Sequence, residues 1–294
     1  MATEVTNGPE LARQSWEVLR DNQHLLWFPF ISGTLIVVLT PASTFFLGAL
    51  ANLIGEQLIT GQATVAVLLV WLVLMYLCFF VGYFCFVFFN VALVGAVMKL
   101  MRGEQATVRD GLAIALSKMR KILIYAAISA TVGIVVRVVR YSGFLTNDRG
   151  TALATILAGG AIQGAWDLLV FLAIPVLIAE DIGVVRAIRR GISLFKESWD
   201  EDFSGSPFVG FLSIGLYIAI AVAGGLLCLY GVWLGSSALL ILTMFLMFTA
   251  FTILVVLESA VNGVLQAAMY QYATTGDAGP FVSTEDAADA FWTI

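Results

Sequence analysis

The chain has 294 residues, of which 60% are apolar and 12% are charged, and its formal net charge at pH 7 is -5. A typical soluble domain carries about 25% charged residues, so these proportions exclude a soluble globular domain and a disordered chain. The lack of a basic balance also excludes a nucleic-acid partner. The composition therefore predicts an all-α integral membrane protein.

The first part of the chain is polar and carries several acidic residues. It does not have the basic start and short apolar core of a cleavable secretory signal. Trp16 and Leu19 alternate with charged residues, and Pro9 suits a first helical turn. We therefore expect residues 1–24 to form a cytoplasmic amphipathic segment.

Six apolar stretches follow, each long enough for a membrane-spanning helix, which needs about 20 mostly apolar residues. They cover residues 25–53, 63–100, 120–142, 152–179, 207–232 and 236–273. The second exceeds the bilayer thickness and is expected to tilt or to project into water. Pro41 is expected to kink the first helix or to split it. The stretches predict a polytopic bundle of six transmembrane helices over residues 25–273.

The distribution of Lys and Arg predicts the orientation of this bundle. Twelve of the fifteen basic residues fall on one side of the predicted helices and three on the other. The positive-inside rule places the richer side in the cytoplasm. Both termini are therefore expected to be cytoplasmic, including the acidic tail 274–294, and the protein is expected to be a multi-pass protein of the cell membrane.

Two connections on the basic side resemble each other. Arg109-Asp110-Gly111-Leu112 lies in the first, and Arg189-Arg190-Gly191-Ile192 lies 80 residues later in the second. Both belong to basic amphipathic segments, at about 104–119 and 184–199, of the type that lies in a membrane interface. We interpret them as interfacial elbow helices. The likeness fits a duplicated helix–elbow–helix unit, and it equally fits two loops that converged on one character.

The fourth predicted span contains Asp167, with Gln163 one turn earlier on the same helix face. A carboxyl group in hydrocarbon is unfavourable and usually faces a partner or water. The pair could form a proton or cation site. The alternative is a structural hydrogen bond to a neighbouring helix.

The sixth predicted span carries a second set of polar side chains, the Glu258 stripe, formed by Glu258, Asn262 and Gln266 at intervals of four residues. Such spacing places them along one helix face, and Asn90 of the second span is expected at a similar depth. They could line a vestibule open to the cytoplasm. Alternatively, they could hydrogen-bond between closely packed helices.

Basic side chains near the membrane surfaces are candidates for binding lipid headgroups. The candidates are Arg109, Arg186, Arg189, Arg190, Lys196, Arg137 and Arg140. The elbow residues could contact anionic headgroups of the inner leaflet or simply reflect the positive-inside distribution. Arg137 and Arg140 close the third span on the other side, where they could bind a phosphate or extend toward the headgroups.

Four segments carry a resemblance to a known family. They are LARQSWEVLR at 11–20, LWFPFISG at 26–33, FNVALVGA at 89–96 and YQYATTG at 270–276. The chain resembles a family of prokaryotic multi-pass membrane proteins of unknown function. It is also distantly similar to the membrane domain fused to some glycerophosphodiester phosphodiesterases. The resemblance implies six helices with amphipathic elbows and implies no particular activity.

The sequence lacks the common catalytic motifs, including a P-loop, a G-x-S-x-G elbow and H-E-x-x-H. Its single histidine and three scattered cysteines do not form a zinc motif. We therefore predict no enzymatic activity, no metal and no cofactor. The predicted function is a lipid-interacting or scaffold and accessory role, with membrane lipids and a homo-oligomer or membrane protein as partners. The alternative is a transporter or channel for a small solute or proton that uses Asp167 and the Glu258 stripe.

Overall fold

The computed structural model describes residues 7–59, 65–143, 148–198 and 208–281, which form α-helices and one short 3-10 helix but no strand. The α-helices are α1 Asn7–Asp21, α2 Trp27–Ile59, α3 Val65–Met101, α4 Val108–Ser117, α5 Met119–Ser142, α6 Arg149–Phe171, α7 Ala173–Ala179, α8 Val184–Ser198, α9 Phe208–Trp233 and α10 Ser237–Thr275. The prediction of an all-α protein is confirmed.

Four helices within the described ranges are long and apolar enough to cross a membrane. They include Val65–Met101, Met119–Arg140, Gly215–Trp233 and Ser237–Thr275. A fifth candidate combines residues 13–21 and 23–39, which are bent by 106° relative to each other. The helix content is therefore that of a membrane protein, whereas the count of six spans stays a prediction because α6 does not meet the same criterion.

The buried core of the bundle is concentrated at one end, which we call the elbow end. It is formed by α1, α4, α7 and α8 together with the adjoining ends of α3, α5 and α10. Fully buried side chains there include Leu93, Ile122, Leu177 and Leu194. The opposite end exposes large apolar side chains, such as Leu229 at 68% exposure. Exposure of that apolar surface is favourable in the hydrocarbon of a membrane and unfavourable in water.

Pro41 and Pro175 affect their predicted spans differently. The predicted fourth span is interrupted at Leu172 between α6 and α7. Pro175 explains this break, because its ring lacks an N–H and clashes with the carbonyl four residues earlier, that of Phe171. In contrast, α2 continues through Pro41, so no break occurs there. Membrane helices tolerate an internal proline when neighbouring groups satisfy the freed carbonyl.

The N-terminal helix α1 turns sharply away from α2. The 106° bend lies at the junction around Asn22, and α1 packs across α9 and α10. Its residues Val18 and Leu19 are buried in the core, while Trp16 remains exposed. The predicted amphipathic segment is therefore a helix that crosses the bundle instead of extending α2.

Candidate functional site

Helices α4 and α8 lie in the two predicted elbow segments, and we call them the elbow helices. The first of them, α4, begins at a capping box. The Thr107 hydroxyl accepts a hydrogen bond from the Asp110 backbone N–H at 3.2 Å, and the Asp110 carboxylate accepts one from the Thr107 N–H at 2.9 Å. Such reciprocal bonds satisfy two N–H groups that the first helical turn leaves free. The Thr107 hydroxyl also donates a hydrogen bond to the Asp110 carboxylate at 2.7 Å. This bond and the one from the Thr107 N–H lower the pKa of the Asp110 carboxyl, with Lys99 adding to the effect. The helix start is thereby fixed beside exposed Arg109.

Each elbow helix crosses the preceding helix at a glycine. A Cβ atom placed on Gly111 of α4 would lie 2.6 Å from the Ala92 carbonyl oxygen of α3. A Cβ atom on Gly191 of α8 would lie 3.1 Å from the Ala173 N atom and 3.2 Å from the Leu172 carbonyl carbon. At all three distances, adding a Cβ atom would force the neighbouring atom to move. The crossings therefore require a residue without a side chain.

The second elbow helix, α8, packs with a narrow face of small and apolar residues. Val184, Ala187 and Leu194 are buried on the same side as Gly191. The exposed side carries basic residues at Arg186, Arg189, Arg190 and Lys196. The packing orients the basic side of α8 away from the bundle.

Ion pairs connect the two elbows at the same end. The Asp181 carboxylate, in the turn before α8, accepts hydrogen bonds from the ammonium groups of Lys118 and Lys121, the latter at 2.7 Å. These two lysines hold the pKa of Asp181 down at about 2. Glu180 lies 3.6 Å from Arg190 and accepts a hydrogen bond from the Tyr270 hydroxyl at 3.5 Å. The sequence shows Glu180 and Asp181 as adjacent acidic residues but does not show which basic residues they contact.

The structure separates the predicted headgroup residues into two groups. Arg109, Arg186, Arg189, Arg190 and Lys196 are exposed at the elbow end. The other two lie far along α5. The Arg137 guanidinium stacks over the Phe79 ring at 3.9 Å, and the Arg140 side chain packs beside Gly159 of α6. The seven candidates therefore do not form a single site.

The intramembrane polar residues pair within and between helices. Gln163 donates a hydrogen bond to Asp167 at 2.8 Å, and both lie on the accessible side of α6. The Tyr217 hydroxyl of α9 donates to Glu258 of α10 at 2.9 Å. Sequence analysis missed Tyr217 because periodicity does not reveal which helix a residue faces.

The remaining members of the predicted stripe are more enclosed. Asn262 is half-buried, whereas Gln266 and Asn90 are buried. The side-chain oxygens of Gln266 and Asn90 have no hydrogen-bond partner among the described residues. Both lie one turn from the close contact between Gly263 of α10 and Leu93 of α3. Their position supports helix packing more directly than an open vestibule.

A cavity of about 570 Å³ lies between α2, α3 and α5. Its walls come from residues between 36 and 46 of α2 and between 77 and 86 of α3, with Arg137 of α5 at one side. Most of the lining is apolar, and its polar side chains are Ser43, Tyr83 and Arg137. Sequence analysis identified Arg137 but not the cavity that it lines.

Comparison with known proteins identifies the family of the chain. Residues 65–281 match the model of a family of unknown function, DUF6159. The chain belongs to this family. The DUF6159 match extends from the start of α3 past the end of α10, so it includes both elbow helices and Arg137. No curated protein and no solved structure matches the chain, and the similarity to the glycerophosphodiester phosphodiesterase membrane domain stays a prediction.

Proposed function

We propose that this DUF6159 protein is a non-enzymatic, multi-pass protein of the cell membrane that binds anionic lipid headgroups with its elbow helices. The observation that carries the proposal is the orientation of α8. Its buried face packs on the bundle, and Arg186 and Arg189 point away from it. A lipid-binding scaffold or accessory protein needs such a basic surface and needs no catalytic group.

The two elbow helices support this proposal together. The Asp181 ion pairs with Lys118 and Lys121 hold α8 close to the α4–α5 connection. On α4, Leu116 is 57% exposed and Arg109 is exposed as well. A helix with apolar and basic side chains accessible next to a bundle end suits the boundary between acyl chains and headgroups. Each basic side chain near an anionic surface contributes about 1 kcal/mol of attraction.

The proposed orientation places the elbow end in the cytoplasm, with both termini on that side. The basic residues of the elbows then face the inner leaflet, where anionic lipids attract juxtamembrane Lys and Arg. The positive-inside rule supports the same orientation. Membrane lipids are the proposed partners, and a homo-oligomer or another membrane protein remains compatible with an accessory role.

The proposal is tested by electron paramagnetic resonance of spin-labelled lipids in vesicles containing the protein. We expect phosphatidylglycerol to show a larger motionally restricted fraction than phosphatidylcholine. The double variant Arg186→Gln/Arg189→Gln removes two such contributions and should lower the relative association constant of phosphatidylglycerol about thirtyfold. The control Arg186→Lys/Arg189→Lys should retain most of the association with phosphatidylglycerol. Equal association of both lipids with the wild-type protein would reject the proposal.

A second candidate function is transport of a small solute or proton. It is favoured by two carboxyl groups on apolar helices, Asp167 beside Gln163 and Glu258 beside Tyr217. Such groups within membrane helices commonly mark proton or ion pathways. Proton flux in proteoliposomes should then be lost in Asp167→Asn and kept in the surface control Glu104→Gln. A parent protein without flux, or a fully active Asp167→Asn variant, would exclude this candidate.

A further inference from the structure

The cavity between α2, α3 and α5 combines an apolar wall with one cationic group. The α3 wall extends from Leu77 to Phe86, a length of about 14 Å at 1.5 Å per residue. The cavity volume of about 570 Å³ is in the range of small-molecule binding pockets, about 300–1,000 Å³. The cavity is therefore large enough for an acyl chain and is lined to receive one.

Arg137 occupies the polar end of this cavity. It lies three residues before the end of the candidate span Met119–Arg140, at the level of Phe79, which is 14 residues after the start of α3 at Val65. The α3 wall continues from the level of Phe79 through Gly82 to Phe86, toward the elbow end of α3. The charge thus lies at one end of the cavity and the apolar wall extends away from it, which is the polarity of an amphiphile.

The contacts of Arg137 prepare it for an anionic group. Its guanidinium stacks on the Phe79 ring at 3.9 Å, a cation–π geometry that restricts the side chain. Planar guanidinium groups bind carboxylates through paired hydrogen bonds. Because a charge in hydrocarbon is unfavourable, an anion bound at this position would gain more than one bound in water. The hydroxyl-bearing side chains of Tyr83 and Ser43 line the same cavity.

We infer that this cavity is a binding site for a single-chain amphiphilic anion, with its carboxylate on Arg137 and its acyl chain along α3. The site lies apart from the elbow end and involves none of the elbow residues. Its occupancy therefore does not depend on the headgroup binding proposed for α4 and α8. A long-chain fatty acid has the required chemistry and serves as the probe.

The test uses a photoactivatable long-chain fatty acid with the full-length protein in nanodiscs of neutral phospholipid. Crosslinks are mapped by mass spectrometry, and oleate is compared with oleyl alcohol as competitor. We expect crosslinks between residues 36 and 46 and between 77 and 86. Oleate should compete and oleyl alcohol should compete poorly. The Arg137→Gln variant should bind about tenfold more weakly, the scale expected for loss of a charged hydrogen bond.

A second variant separates loss of binding from loss of folding. A Cβ atom at Gly82 would meet no atom within 4 Å, so the side chain of Gly82→Leu should begin in open space, occupy part of the cavity and abolish the crosslinks. Gly48→Leu is the matched control, because Gly48 is equally open and does not line the cavity. Equal competition by acid and alcohol, or undiminished crosslinking in Gly82→Leu, would overturn the inference. Elbow variants should leave this crosslinking unchanged.

Discussion

Gly111 and Gly191 lie 80 residues apart and occupy equivalent positions in the two elbow helices. Each lies against a backbone that precedes it in the chain, at Ala92 in one case and at Ala173 and Leu172 in the other. The contacted residue precedes the glycine by 19 positions at Ala92, and by 18 and 19 positions at Ala173 and Leu172. A similar contact at a similar spacing agrees with a duplicated helix–elbow–helix unit.

The first prediction concerns these glycines. Gly111→Ala should lower the unfolding free energy by about 1–3 kcal/mol, the usual cost of an overpacked contact. Gly191→Ala should act in the same direction but less strongly, because the backbone atoms that it meets are farther away. Thermal unfolding in mild detergent measures both effects.

A matched control distinguishes close packing from general helix propensity. A Cβ atom at Gly164 of α6 would meet no atom within 4 Å, so Gly164→Ala should be neutral or stabilising by up to about 1 kcal/mol. If Gly111→Ala behaves like Gly164→Ala, the proposed close crossing of α4 and α3 is wrong.

The second prediction concerns acid stability. Lys118 and Lys121 lower the pKa of Asp181 from 3.8 to about 2. A carboxyl group whose pKa is lower in the folded state than in the unfolded state stabilises the fold at any pH above its unfolded-state pKa. This stabilisation is lost as the pH falls from the unfolded-state pKa through the folded-state pKa. The melting temperature should therefore fall more between about pH 4 and pH 2 in the wild type than in Asp181→Asn. Asparagine tolerates the positive φ of 52° at this position, so the substitution removes the charge without adding backbone strain. Identical pH profiles of the two proteins would therefore show that the ion pairs do not stabilise the elbows.

The third prediction concerns the contact between α9 and α10. Tyr217→Phe removes the 2.9 Å hydrogen bond to Glu258, and double-mutant measurements on membrane helices suggest a loss of about 1 kcal/mol. Unfolding in mixed micelles measures the loss. Tyr230→Phe on the same helix is the control, because the Tyr230 ring is exposed and stacks on Trp233. An equal effect of both substitutions would argue against an interhelical bond.

The fourth prediction concerns membrane topology. In a background with the native cysteines replaced, Glu104→Cys, in the connection before α4, should react with an impermeant thiol reagent from the cytoplasmic side only. Leu234→Cys, at the turn between α9 and α10, should react from outside. Both positions are exposed. Labelling of Glu104→Cys and Leu234→Cys from the same side would show that the chain between them crosses the membrane an even number of times.

Helix boundaries were largely readable from the sequence, because polar connections mark where apolar stretches end. The predicted span 120–142 corresponds to α5, Met119–Ser142, and the predicted span 236–273 corresponds to α10, Ser237–Thr275. The break at Leu172 was not predicted, although Pro175 provides its cause. An apolar run of sufficient length conceals such an interruption when only hydropathy is considered.

The contacts of the candidate sites were less predictable than the helices. Hydrophobic periodicity indicates that Glu258 and Asn262 share a face, but it does not indicate that Tyr217 faces Glu258. The stacking of Arg137 on Phe79 and the cavity beside it depend on how three helices meet. Close approach at Gly111 and Gly191 is likewise a property of tertiary packing, although the repeated sequence around these glycines was visible.

Native mass spectrometry of the protein purified in mild detergent tests the central proposal most directly. Binding of anionic headgroups by the elbow helices predicts a discrete anionic phospholipid retained on the wild-type protein. It also predicts loss of that lipid from the Arg186→Gln/Arg189→Gln variant. A wild-type protein that retains no lipid, or retains zwitterionic lipid with equal frequency, would contradict the proposal.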